Sequence, residues 1–131
     1  MLDYRYETGE RRFKHKWKQK TAGFERSGTG YVGKCPSDVT HEIAEERLNA
    51  GIPVYDSEES LWPSKIYTIF RGVVYEAVPT NPGRSYHAYP WRGDLPGRGP
   101  LVRWVRKRLR DLAIEWNELS EYKEWMKKYG G

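Results

Sequence analysis

The sequence predicts a compact α+β fold: a small, mainly antiparallel sheet with a central hairpin, and two or three helices packed on it. Three observations carry this. Two β-branched and aromatic runs, 65–70 and 73–79, are separated only by Arg71 and Gly72. Two segments, about 38–49 and 101–116, repeat apolar residues at helical spacing. The 131 residues suit a single domain, long enough to bury a core without metal or crosslinks.

The elements follow in chain order. Phe13, His15 and Trp17 alternate with Lys14, Lys16 and Lys18, a period of two. Residues 1–30 are therefore expected to be a basic, partly mobile arm or an edge strand whose lysines discourage pairing. Thr21 to Phe24 and Ser27 to Gly30 read as turns. A short strand is expected from Tyr31 until Pro36 stops it. Ser37 or Asp38 then caps a helix with Val39, Ile43, Ala44 and Leu48 inward and Glu42, Glu45 and Glu46 outward. Gly51 is read as its left-handed stop. An acidic loop with Asp56, Glu58 and Glu59 leads to the hairpin, whose second strand should end at Pro79. Residues 79–100 carry five prolines and four glycines and read as loop, with one short strand at 85–89. The helix at 101–116 turns Leu101, Val105, Leu109, Leu112, Ala113 and Trp116 inward. A last helix covers 122–129 on Trp125 and Met126.

Charge is unevenly spread. The net charge is +5. Residues 1–35 hold nine bases and four acids, whereas 36–62 hold one base and seven acids. Residues 98–131 hold nine bases and five acids. If the basic ends fold together, they form one anion-binding surface. If the acidic helix pairs with them, it cancels that surface.

Cys35 is the only cysteine, so no internal disulfide forms. No apolar leader and no membrane-length apolar run is present, so a cytoplasmic protein with no membrane partner is expected. Phosphate-loop, dinucleotide, nucleophile-elbow and paired-cysteine motifs are all missing.

Four groups of residues bear on function. Cys35 with His41 and His87 contains metal-ligating types, but their dispersal argues for no metal and no cofactor. Cys35 before a helix also suits a reactive thiol. Its bland reading is a small buried residue. The stretch 84–93 joins Arg84, His87 and Arg92 to Tyr86, Tyr89 and Trp91. Histidine and Glu76 could move protons, the arginines could hold a phosphate, and the aromatics could stack on bases. The alternative is that the aromatics fill a core edge. Arg103, Arg106, Lys107 and Arg110 recur at i, i+3, i+4 and i+7, a stripe suited to phosphates or simply a solvated face. Lys14, Lys16, Trp17 and Lys18 interleave bases with aromatics, as single-stranded nucleic acid prefers.

The leading expectation is binding of RNA or other single-stranded nucleic acid, with metal-free phosphodiester cleavage at His87, Glu76, Arg84 and Arg92. Two alternatives stay open: a small protein-interaction or assembly module, and a thiol-dependent enzyme centred on Cys35. The sequence leaves undecided whether the chain is an enzyme at all.

Overall fold

The computed structural model describes residues 2–7, 23–27, 30–34, 40–93 and 101–130, with 23–27 and 30–34 described by their backbone. The elements are β1 (Arg5–Tyr6), β2 (Gly23–Ser27), β3 (Gly30–Lys34), α1 (His41–Asn49), β4 (Ile52–Val54), β5 (Lys65–Phe70), β6 (Val73–Asn81), β7 (Ser85–Pro90), α2 (Arg103–Glu115) and α3 (Leu119–Tyr129). Five strands form one sheet in the order β1-β7-β6-β5-β4. β1 runs parallel to β7, and the other pairs are antiparallel. β2 and β3 pair separately. The result is a small α+β fold with a mixed, mostly antiparallel sheet and three packed helices.

The β5–β6 hairpin is central, as its two apolar faces require. Ile66, Tyr75 and Ala77 pack toward α1 together with Tyr6, Leu48, Tyr86 and Ala88. Tyr67, Ile69 and Val74 pack toward α2 and α3 with Trp91, Val105, Leu109, Ala113, Tyr122 and Trp125. Arg71 and Gly72 both have positive φ, 52° and 79°, which gives the reversal a two-residue turn matched to strand twist. Gly72 has a second reason to lack a side chain: a Cβ there would come within 2.3 Å of Glu121 Cβ at the start of α3.

Several boundaries differ from the sequence expectations. α1 begins at His41, where Thr40 Oγ1 accepts from Ile43 N at 3.2 Å. Ser37 and Asp38, the expected caps, lie outside the described residues. Gly51 is not left-handed; a Cβ there would sit 2.6 Å from Tyr67 O, so it serves a close approach to β5. β6 continues through Pro79 to Asn81. Proline is tolerated because β6 has by then run past the start of β5 and has a partner on one side only. The turn expected at 21–24 gives way at Gly23 to β2, whose backbone pairs with β3. β4 is a strand the sequence does not predict, being too short to show a period, whereas β1 falls within residues 1–30, expected as an arm or edge strand. The expected strand through Phe13 and Trp17 lies outside the described residues.

Candidate functional site

Strand register gathers a polar group on one sheet face. Glu76 opposes Tyr67 on β5 and Tyr89 on β7, and Val78 opposes His87. Side chains two apart share a face, so Glu76 and His87 sit on the side that also bears Val74 and Trp91. Diagonal neighbours of this kind are about 7–8 Å apart. Glu76 is only 5% exposed. Tyr67 OH donates to its Oε2 at 2.7 Å, Tyr89 OH donates to Oε1, and Lys65 Nζ lies 3.5 Å from Oε2. A carboxylate this buried needs such donors to offset its lost hydration.

His87 is half-buried, with Nδ1 in hydrogen-bond contact with Thr80 Oγ1 at 2.8 Å. Burial lowers its pKa below the ordinary imidazole value, and the charge of Glu7 partly opposes this. Ser85 Oγ in turn donates to Glu7 Oε2. The arginines expected beside His87 are not gathered there. Arg84 occupies the β6–β7 turn, where its N donates to Asn81 O at 2.9 Å. Arg92 follows β7 and lies over the Tyr129 ring at 4.9 Å. The six residues of β7 separate them, roughly 20 Å of strand.

The aromatics of this stretch divide. Tyr86 is fully buried against α1, donates to Pro63 O, and contacts the Tyr4 ring at 4.9 Å. Burial pushes its phenol pKa far up. Trp91 is 2% exposed, and its O accepts from Trp125 Nε1. Neither ring is open to a nucleobase. Tyr89 remains partly exposed beside Glu76.

α2 presents the second candidate surface. Val105, Leu109 and Ala113 are buried at i, i+4 and i+8. That requirement turns Arg103, Lys107 and Arg110 outward, with Arg106 on the rim toward α3, where Tyr122 OH donates to Arg106 O at 3.3 Å. All four bases are exposed, and no ion pair among the described residues involves them. Trp104 is 47% exposed on the same outer side. Sequence reasoning missed it; the available signal was an indole among bases on the polar side of an amphipathic helix.

The acids of α1 do not cancel this stripe. Glu45 Oε1 accepts from Tyr6 N at 3.0 Å, and the basic residue of α1, Arg47, pairs with Glu118 at 3.1 Å. His41 is exposed on α1, on the opposite sheet face from His87. Cys35, Lys14, Lys16, Trp17 and Lys18 lie outside the described residues. No helix among the described residues is long and apolar enough to cross a membrane. No family model matches the sequence, and no characterised protein or solved structure matches the chain.

Proposed function

We propose that the protein binds RNA or another nucleic acid in the cytoplasm through the outer side of α2. One observation carries the reading: four exposed bases on one helix without ion-pair partners among the described residues, next to an exposed Trp104. Such a row neutralises neighbouring phosphates and releases counterions, so affinity falls as salt rises. An exposed indole adds a stacking platform that tolerates any base. Phosphate contacts position a strand without reading it, so little sequence preference is expected.

The test is RNA binding by a variant with Arg103, Arg106, Lys107 and Arg110 all changed to Gln, measured at low and moderate salt. Each lost contact to a single strand should reduce the log–log salt slope by about 0.7. Equal affinity and slope for variant and parent would leave the stripe as a solvated face.

Cleavage is a second reading, favoured by Glu76 and His87 sharing one sheet face. It has less support, because Glu76 is enclosed by Tyr67, Tyr89 and Lys65, and because Arg84 and Arg92 flank opposite ends of β7. Burial lowers the His87 pKa, which favours the neutral form a general base needs. His87 should therefore titrate below about 6.5 by NMR. The unfolded chain takes up this proton first, so folding stability should decline as pH drops through that value. A His87 titration at or above the ordinary value would remove the base from this scheme.

A further inference from the structure

Among the described residues, the exposed large apolar side chains fall into two groups. Tyr55, Leu61 and Trp62 belong to the loop between β4 and β5, and Val102, Trp104 and Ile114 belong to α2 or its first boundary. The two groups differ in surrounding charge. Asp56, Glu58 and Glu59 are exposed around the first, whereas on α2 the exposed Arg103, Arg106, Lys107, Arg108 and Arg110 outnumber the exposed Asp111 and Glu115. Each patch alone is an apolar surface that water disfavours, and each carries the charge that would attract the other.

The loop is held in shape rather than merely exposed. Ser57 N donates to Ser60 Oγ at 3.2 Å, and Ser60 N donates to Ser57 O at 3.2 Å. At its base, Ser64 N and Oγ both donate to Val54 O, at 2.8 and 3.1 Å. Pro63 is buried, its O accepts from Tyr86 OH, and the Trp62 ring lies against Gly83. Leu61, 87% exposed, therefore stands on a fixed support beside a groove lined by Tyr55, Ser57, Glu58 and Ser60. A pre-shaped apolar anchor loses little conformational freedom on docking.

We propose that the β4–β5 loop of one copy docks on the outer side of α2 in a second copy of this chain. Leu61 and Tyr55 would meet Trp104 and Ile114, while Glu58 and Glu59 face Arg103 and Lys107. A contact between unlike patches closes into a symmetric pair if both copies make it reciprocally, and otherwise extends into a chain of copies. The inference does not rest on nucleic-acid binding. If both hold, self-association and nucleic acid compete for α2.

Sedimentation of the full chain tests this at several concentrations and salts. The parent should self-associate at low salt and weaken by about tenfold or more as the Debye length shrinks from about 30 Å to about 3 Å. A loop variant, Glu58→Lys with Glu59→Lys, and a helix variant, Arg103→Glu with Lys107→Glu, should each be monomeric. Mixing the two should restore association, because each then finds an oppositely charged patch. All four positions are exposed, so both variants should fold, which circular dichroism would check. The loop variant should bind RNA at least as tightly as the parent, since it keeps the α2 bases and frees them from the competing contact, which separates this outcome from the one above. A parent that stays monomeric, or variants that associate like the parent, would overturn the proposal. Monomers whose loop binds poly-lysine would overturn it too, and would assign the loop to a different basic partner.

Discussion

α1 and α2 lie on opposite faces of one sheet, yet they are attached by different physics. α2 buries Val105, Leu109 and Ala113, and needs nothing from its charged residues to stay in place. α1 buries only Leu48. A small apolar cavity of about 40 Å³ remains beneath it, walled by residues including Tyr6, Ala44, Phe70, Tyr75 and Ala88. Polar clasps hold α1 instead. Asn49 Oδ1 accepts from Tyr4 N at 2.7 Å, and its Nδ2 donates to Tyr4 O at 2.8 Å. Thr68 Oγ1 donates to Arg47 O at 2.7 Å, and Arg47 donates to Ile69 O and stacks 4.0 Å from the Trp116 ring centre. Helix charge therefore has two fates here. On α1 much of it is consumed by attachment, and on α2 it is left facing solvent.

The largest expected effect tests the apolar side of this contrast. Leu109→Ala should cost about 3 kcal/mol in urea unfolding, from lost burial plus the cavity left in a fully packed site. A change under about 1 kcal/mol would show that α2 is not held by its apolar stripe. Asn49→Ala comes next. Removing its paired bonds to Tyr4 should cost about 2 kcal/mol and raise hydrogen exchange in β1 and α1, with α2 little affected. Uniform acceleration across the chain would mean the clasp is not local to α1. The smallest effect belongs to the α2 bases. The four-Gln variant should unfold within about 0.5 kcal/mol of the parent, because exposed residues of equal helix propensity are exchanged. A loss above about 1.5 kcal/mol would mean those bases serve attachment after all, and the contrast with α1 would fail.

The sequence by itself determined the parts governed by local period. The hairpin, both amphipathic helices and the outward turn of Arg103, Lys107 and Arg110 are legible because the burial of one side fixes the other. Its limits appear where chemistry depends on partners far along the chain. Tyr86 and Trp91 look available on paper, since polar, aromatic, proline-rich sequence resembles a binding loop; tertiary packing made them core. Glu76 and His87 come together only through the β6–β7 register, and Arg84 and Arg92 are kept apart by the strand between them. Likewise, nothing local marks Glu45 and Asn49 as clasps, because their partners Tyr6 and Tyr4 are 39 and 45 residues away. Periodicity tells a side chain which way to face. Only the assembled sheet decides what it meets there, because hydrogen-bond partners are selected by distance in space and not by spacing along the chain.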